Sequence, residues 1–348
     1  MLHYSNQFVR SARIFLLVGI MILLAACNPA SPAMTATATG TLLETPTTLI
    51  PTLEPTAPTA KIILVSDGSA STADLQKADT VLMDLAAQDN MNLVNADSLT
   101  ASNLTPEVKV VIWIGQAEGI SELASGAPQV QFVAMTSSVL EPAANLNIIH
   151  LRPERVVFIA GYISTLIAPD WRGAGLLPSD GPLGDQVQAV FTNGGRFFCG
   201  RCAPAYAPVV LFPVSATLPG NSPVSDWQAA FDELNKNIIE VLYVSDAAAS
   251  PELLKSMSEK GLILIGSQPP PADLQPVWAA TISIDGISQL ETLWPDLLAK
   301  KSGRSLEAPV VLSDVDPAKL SPGRQELVNA MIENLQSGLV NPFSIPPE

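Results

Sequence analysis

Histidine is almost absent from this sequence, with two among 348 residues. His3 lies in the N-terminal segment, and His150 lies at the end of a strand-like run. A Ser-His-Asp hydrolase would have to use one of them, but no Gly-x-Ser-x-Gly motif is present. A zinc site also lacks ligands, because structural zinc takes four Cys or His side chains. We therefore predict no catalytic residue, no metal site and no cofactor.

Basic residues are also few, since 18 Lys and Arg stand against 33 Asp and Glu, for a formal charge of -15. Such a surface repels phosphate backbones, which excludes nucleic acid as an expected partner. The glycines between residues 173 and 184 lack the Gly-Lys-Ser/Thr of a phosphate loop and the spacing of a dinucleotide fingerprint. We interpret them as turns around a strand.

No apolar run after residue 60 reaches the roughly 20 residues that a membrane-spanning helix needs. The N-terminal run, residues 14–24, is itself too short and follows Arg10 and Arg13, as in a signal peptide. It leads into Leu24-Ala25-Ala26-Cys27, the lipobox pattern, in which small residues precede the cysteine that carries diacylglycerol. A plain transmembrane anchor would leave that cysteine unexplained. We predict a signal peptide over residues 1–26 and a lipid on Cys27.

The segment that follows is rich in threonine and proline. Residues 28–60 hold ten Thr and six Pro with almost no charge. Such a stretch cannot bury enough apolar surface to offset the entropy lost on ordering. We predict a disordered linker over residues 27–60, which holds a folded domain of residues 61–348 on the extracytoplasmic face of the cell membrane.

With Cys27 lipidated, Cys199 and Cys202 remain as a pair in a Cys-Gly-Arg-Cys motif. Outside the cytoplasm such a pair favours a disulfide. One interpretation is a structural disulfide that clamps a loop, and the other is a thiol–disulfide active site with an acidified thiolate. Redox motifs normally open a helix, whereas this motif closes one, so we prefer the structural interpretation.

Residues 61–348 alternate apolar runs of strand length with helix-like segments. Near-continuous Val, Ile and Leu strands between helices indicate parallel sheets covered on both faces. The fold class we predict is α/β, with two doubly wound parallel-sheet lobes joined by a hinge of about three crossings. The first lobe takes residues 61–168 and 277–308, and the second takes 169–276 and 309–348. The predicted strands are 61–65, 91–95, 108–114, 130–135, 146–151, 174–177, 209–214, 241–244, 262–265, 279–284 and 310–312.

Ligands of such sheets bind beyond the carboxyl ends of the strands. Polar side chains follow several strands here, and strand-end Asp residues also cap helices and turns. Capping is therefore the alternative role for the aspartates among them. The candidate ligand contacts at strand ends are Ser66, Asp67, Gln116, Ser245, Asp246, Gln268 and Asp285.

Three stretches resemble the basic membrane protein family of type I periplasmic binding proteins. They are residues 154–162 with the core Phe158-Ile159-Ala160-Gly161-Tyr162, residues 173–198, and residues 303–340. The resemblance covers most of residues 61–348. It implies a monomeric substrate-binding lipoprotein of an ABC importer, with a permease and a small polar ligand as partners. Characterised members of the family bind purine nucleosides.

One departure from the family concerns the ligand. Members usually carry an Asp-x-x-Phe-Asn-type element whose aromatic ring stacks on the base, but residues 67–74 contain no aromatic. Trp278 or Trp113 would have to replace it, and core packing is the alternative role for each. Two other functions stay open, namely a ligand-sensing or adhesion lipoprotein that kept the fold without transport and a thiol–disulfide oxidoreductase.

Overall fold

The computed structural model describes residues 59–68, 70–301 and 303–344. The predicted signal peptide, the lipidated Cys27 and nearly all of the linker lie outside these residues. Every described residue belongs to one compact unit, residues 57–348. Within the described residues no helix has the length and apolar character needed to cross a membrane.

Strands and helices alternate along the folded part, as the pattern of apolar runs predicts. In chain order they are β1 (Lys61–Ser66), α1 (Thr72–Gln88), β2 (Asn92–Ala96), β3 (Val108–Ile114), α2 (Ile120–Gly126), β4 (Gln131–Thr136), β5 (Leu146–His150), α3 (Pro153–Ile167), β6 (Gly173–Pro178), α4 (Val187–Cys199), β7 (Val214–Leu218), α5 (Val224–Asn235), β8 (Val241–Val244), α6 (Pro251–Glu259), β9 (Ile263–Gly266), β10 (Trp278–Ile284), α7 (Gly286–Leu298), β11 (Ser305–Glu307), β12 (Val310–Ser313) and α8 (Pro322–Gln336).

The first lobe is built on a parallel sheet of six strands in the order β11-β5-β4-β3-β1-β2. Helices α1 and α7 pack on one face, where Leu82 and Leu290 are fully buried. Helix α2 covers the other face through Ile120. Burial on both faces explains why the central strands are almost continuously apolar.

The second lobe has a six-stranded sheet in the order β12-β10-β9-β8-β6-β7, parallel except for the β10–β12 pair. Helices α3, α4 and α8 cover one face, and α5 and α6 cover the other with Trp227 and Phe231. The predicted fold class is therefore confirmed, since each lobe is a sheet enclosed by helices.

Three chain crossings join the lobes, as expected. They are residues 151–152 between β5 and α3, Asp285 between β10 and α7, and residues 308–309 between β11 and β12. Neighbouring crossings hydrogen-bond to each other, with Ala308 N donating to His150 O at 3.0 Å and Asp285 N to Pro309 O at 2.9 Å. The crossings therefore form one hinge region.

The predicted lobe boundaries differ from the structure in two places. Helix α3, placed with the first lobe, packs on the second sheet in the same apolar cluster as Tyr243 and Ile265. Strand β10 also belongs to the second sheet, where it pairs with β9. The predicted first boundary, at residue 168, lies after the crossing at residues 151–152, and the predicted second boundary, at residue 277, lies before the crossing at Asp285. Both differ because an apolar strand or helix does not reveal which of two similar sheets it joins.

The prediction was wrong for residues 209–214. The strand in this region is β7, which runs from Val214 to Leu218 at the edge of the sheet. The apolar residues before it lie in a loop, where Val209 is 70 % exposed. Helix α2 and strand β11 were not predicted, because each is short.

Helices α3 and α4 cross in close contact on the second sheet. A Cβ atom on Gly161 would lie 1.9 Å from the carbonyl oxygen of Phe191, and one on Gly194 would lie 1.9 Å from that of Phe158. Only glycine allows the two backbones to approach this closely. The Ala-Gly-Tyr sequence is thus explained by packing.

Candidate functional site

The carboxyl edges of the two sheets face each other across a cleft. Gln268, after β9, donates through Nε2 to the Ser71 hydroxyl at the start of α1, with 3.4 Å between the atoms. Lys77, one turn along α1, pairs with Asp285 at 3.0 Å between Nζ and Oδ1. Because α1 follows β1, both contacts connect the carboxyl edge of one sheet to that of the other. This interlobe cleft is where parallel sheets of this kind bind ligands.

Asp67 joins two strand ends of the first lobe. Its carboxylate accepts hydrogen bonds from the backbone N–H groups of Gln116 at 2.6 Å and Ala117 at 3.2 Å, and from Trp113 Nε1 at 3.4 Å. Gly115 makes room for it, since a Cβ there would lie 2.1 Å from Asp67 Oδ1. The carboxylate fixes the loop after β3, so the geometry matches the capping alternative.

Ser66 and Gln116 lie on the same edge and are used locally. The Ser66 hydroxyl accepts from Gly68 N at 3.4 Å. The Gln116 side chain accepts from the Ser138 hydroxyl at 2.9 Å, which ties the ends of β3 and β4 together. Gln116 is exposed, so the rest of its amide is accessible to solvent at this edge of the sheet.

Ser245 and Asp246 form the corresponding edge of the second lobe. Ser245 is 6 % exposed, and its hydroxyl has no hydrogen-bond partner among the described residues. Burial raises the pKa of the Asp246 carboxyl, and the negative charge of Asp74 raises it further. Asp74 belongs to α1 of the first lobe, so the cleft brings two carboxylates towards each other from opposite walls.

Sequence reasoning missed Ser71 and Asp74. The Ser71 hydroxyl accepts from Asp74 N at 3.1 Å and donates to Asp74 Oδ2 at 2.8 Å, which is the N-cap of α1. A Ser-x-x-Asp pattern directly after the first strand was the signal that could have located them. Since that helix starts at the carboxyl edge, its first turn faces the cleft.

Asp285 lies at the hinge and not on the cleft wall. It caps α7 by accepting from Ser288 N at 3.3 Å, and it pairs with Lys77. Burial alone would raise the pKa of this carboxyl, but the Lys77 and Ser288 contacts lower it overall. These contacts already occupy the carboxylate, which makes it a structural element of the crossing.

Trp278 and Trp113 do not offer a stacking surface. Trp278 is 3 % exposed, packs in the core between the second sheet and α5 and α6, and donates to Thr281 Oγ1 at 3.0 Å. Trp113 is 6 % exposed within the core beside α2. Core packing accounts for the burial of both indoles, and the ligand contact of Trp278 stays a prediction.

A second set of ion pairs, centred on Glu307, links two of the hinge crossings. Glu307, at the end of β11, accepts from Arg152 Nη2 at 3.1 Å and from Arg155 Nη2 at 2.6 Å. Burial would raise the pKa of Glu307, yet its hydrogen bonds and charge pairs with the two arginines lower it overall. His150 stands beside this group with Nε2 3.0 Å from Ser305 Oγ. Burial and the charge of Arg152 lower the pKa of His150.

Cys199 and Cys202 are paired in a disulfide at the end of α4. Cys202 is 3 % exposed and lies in the apolar core of the second lobe. The bridge closes a helix and leads into a loop on the edge of the sheet opposite the cleft. Across the described residues, no group of three or more His, Cys, Asp or Glu side chains is placed to hold a metal ion.

Among comparisons with known proteins, only the comparison with solved structures finds matches. No family model matches the sequence. No curated protein matches it significantly either. Solved structures do match.

An ABC transporter solute-binding protein from Conexibacter woesei aligns with a TM-score of 0.61 and 17 % identity, over 81 % of this chain and 98 % of that one. A transcriptional activator of the comK gene from Bacillus halodurans aligns with a TM-score of 0.58 and 16 % identity, over 83 % of this chain and 100 % of that one. An ABC transporter periplasmic solute-binding protein from Actinobacillus succinogenes, with bound D-allose, aligns with a TM-score of 0.53 and 12 % identity. The alignment covers 73 % of this chain and 97 % of that one.

At these identities the likeness establishes the fold, which is the two-lobed fold of type I periplasmic binding proteins. It does not test the narrower resemblance to the basic membrane protein family, which stays a prediction. Proteins of this fold take different roles, since one matched structure is a solute-binding protein and another is a transcriptional activator. The function must therefore be argued from the cleft.

Proposed function

We propose that this chain is the substrate-binding component of an ABC-type importer and that a small polar ligand binds between its lobes. The observation that carries the proposal is the pair of parallel sheets whose carboxyl edges face each other across a hinged cleft. Support also comes from matched structures of the same fold that are solute-binding proteins. Binding would close the lobes about the hinge, and the closed form would engage a permease.

The chemistry of the cleft walls favours a ligand rich in hydrogen-bond donors. Asp74 and Asp246 contribute carboxylates from opposite walls, and Gln268 adds a side-chain amide. Carboxylates accept hydrogen bonds from hydroxyl or ammonium groups. The two indoles considered as stacking surfaces are buried in the cores. A sugar-like ligand therefore fits better than a nucleoside, whose base would need a stacking partner.

We further propose that Cys27 carries a lipid and that the linker holds the binding domain near the extracytoplasmic face of the cell membrane. The proposal rests on the lipobox and on the Thr/Pro composition of residues 28–60. Globomycin treatment of expressing cells tests it. Accumulation of a larger precursor supports lipid processing, and unchanged maturation, or equal maturation of Cys27→Ser, contradicts it.

A thermal-shift screen of residues 57–348 against sugars, amino acids and nucleosides tests the binding function. A ligand that binds the folded state stabilises it by about 2.7 kcal/mol at a concentration 100 times its dissociation constant. We expect a sugar to raise the melting temperature and Asp246→Asn to remove that shift. Asp84→Asn is the matched control, because Asp84 is exposed on α1. If no compound class shifts the transition, the binding proposal fails.

A ligand sensor is the second candidate function. The likeness to a transcriptional activator favours it, since that protein has this fold and is not a transport protein by its name. Cross-linking in cells distinguishes the two. Recovery of a permease with the protein supports transport, whereas ligand binding without any permease partner supports sensing.

The thiol–disulfide oxidoreductase is the least supported function. The bridge closes a helix, and Cys202 is buried, so a substrate disulfide has poor access to it. An insulin-reduction assay with the native chain and the Cys199→Ser/Cys202→Ser variant decides it. Activity that the double substitution removes would support the enzyme.

A further inference from the structure

The strand ends that border the cleft carry mainly negative charge. Six parallel strands, namely β1, β2, β3, β4, β6 and β8, are each followed within five residues by an acidic side chain. Because parallel strands of one sheet end at the same edge, these acidic residues collect along the two carboxyl edges, which attracts cations to the cleft. They are Asp67, Asp97, Glu118, Glu141, Asp180 and Asp246.

The basic side chains at the hinge are already paired. Arg152 and Arg155, which follow β5, both bind Glu307, with distances of 3.1 and 2.6 Å between nitrogen and oxygen. Lys77 of α1 pairs with Asp285 at 3.0 Å. Because each of these cations has a carboxylate of its own, they leave the negative charge of the cleft walls unbalanced.

Asp74 and Asp246 bring this charge together from opposite lobes. Asp246 and Gln268 follow the paired strands β8 and β9 at equivalent positions. Gln268 contacts the Ser71 hydroxyl at 3.4 Å, and that hydroxyl donates to Asp74 Oδ2 at 2.8 Å. The first turn of α1 therefore lies over the ends of β8 and β9, with its carboxylate on the side of the second lobe.

The charge of Asp246 has no counter-charge within the described residues. Its carboxylate makes no hydrogen bond or ion pair with any of them. Burial and the negative charge of Asp74 raise its pKa, and no basic side chain of the described chain opposes them, the exposed Lys255 of α6 included. A cation between the two carboxylates would replace this repulsion by attraction.

A buried hydroxyl beside Asp246 indicates a second property of the ligand. Ser245 is 6 % exposed, and its hydroxyl has no partner among the described residues. Its backbone N–H donates to Leu176 O at 3.2 Å, which fixes the residue at the carboxyl edge between β8 and β6. A buried hydroxyl without a partner is unfavourable, so a hydroxyl group of a ligand at this edge would stabilise it.

An organic cation fits these groups better than a metal ion does. In the part of the chain that the structure describes, no three His, Cys, Asp or Glu side chains converge on a metal site. Two carboxylates supply fewer oxygen ligands than Ca²⁺ takes. An ammonium group needs only hydrogen-bond acceptors, since it donates three hydrogen bonds and carries its charge on one atom.

We propose that the cleft binds a hydroxylated amine of the amino-sugar type, whose ammonium group lies between Asp74 and Asp246. The proposal rests on the ligand-binding function proposed above and narrows the class of ligand. The ammonium group accounts for the two carboxylates that have no counter-charge. Hydroxyl groups of the same ligand account for the Ser245 hydroxyl and for the amide of Gln268.

Thermal-shift measurements with matched sugars on residues 57–348 test this inference. Glucosamine, galactosamine and mannosamine are each compared with the N-acetyl derivative, which keeps the hydroxyl groups but loses the positive charge. We expect an amine to raise the melting temperature, its N-acetyl derivative to leave it unchanged, and added salt to reduce the shift. If only neutral sugars or nucleosides shift the transition, or if they do so as strongly as the amines, this inference fails and the binding function stands. If no compound shifts it, both fail.

Asp74→Asn and Asp246→Asn test the two carboxylates. An amide keeps the size of the side chain and removes its charge, so each substitution should weaken binding of the amine about tenfold. The double variant should lose the preference for the amine over its N-acetyl derivative. Asp84→Asn is the matched control, because Asp84 is exposed elsewhere on α1. An unchanged preference in the double variant, an equal loss in the control, or a stabilisation by Ca²⁺ that the double variant lacks would overturn the proposal.

Discussion

One of the two close backbone approaches between α3 and α4 permits a sharp test of the packing in the second lobe. Gly161 of α3 lies against the backbone of α4, where an added Cβ atom would stand 1.9 Å from Phe191 O and 2.8 Å from its carbonyl carbon. Real Cβ atoms keep more than 3 Å from such atoms, so Gly161→Ala must push the helices apart by about 1 Å or more.

The magnitude follows from two opposing effects. Alanine is favoured over glycine inside a helix by about 1 kcal/mol. Overpacking of a dense core costs about 1–3 kcal/mol, and a clash with backbone leaves no side chain that could rotate away. We expect Gly161→Ala to lower the free energy of unfolding by about 2 kcal/mol, which corresponds to a fall of about 4–8 °C in melting temperature.

Thermal unfolding followed by circular dichroism measures this change. Gly323→Ala provides the matched control, because Gly323 lies in the first turn of α8 with no atom within 4 Å of an added Cβ. The control should be as stable as the native chain or slightly more stable. If Gly161→Ala were to behave like Gly323→Ala, the close approach of α3 and α4 would be refuted.

Three further predictions concern the cleft, the hinge and the first lobe. Asp246→Asn should raise the melting temperature at neutral pH, because it removes repulsion from Asp74. Since the pKa of Asp246 is raised, the gain should shrink as the pH falls and the native carboxyl takes up a proton; melting curves across a pH series measure this. Glu307→Gln should lower the free energy of unfolding by about 1 kcal/mol, a modest value because Glu307 is 40 % exposed and water screens its pairing with Arg155. The pKa of Glu307 is lowered, so this loss is present at neutral pH and fades in acid; equal losses at all pH values in urea unfolding would contradict it. Asn145→Ala should cost about 2–3 kcal/mol in urea unfolding, because the buried Asn145 amide donates to three carbonyl oxygens at 2.9–3.1 Å.

Much of the fold could be predicted because burial on both faces imposes a continuous apolar pattern on central strands. Strands β1, β3, β8 and β10 follow this rule. The pattern does not distinguish an apolar strand from an apolar loop, which is why residues 209–214 were misassigned. It also cannot assign β10 to a sheet, because strands from both sheets have the same composition.

The candidate site could be predicted only in part. The rule that ligands bind at carboxyl edges located Gln116, Ser245 and Gln268 on the cleft. It could not show that Asp67 is occupied by backbone N–H groups, because those contacts depend on how β3 ends. The approach of Asp74 to Asp246 depends on the arrangement of both lobes, which no local pattern encodes.

The three crossings at the hinge leave the two ends of the described chain on different lobes. Residue 59 leads into β1 of the first lobe, whereas residue 344 follows α8, which packs on the second lobe. Dyes attached at these two positions would sit on different lobes. The efficiency of energy transfer between the two dyes would then change when the lobes close on a ligand as proposed. A chain labelled at these positions would therefore serve as an optical sensor of ligand binding.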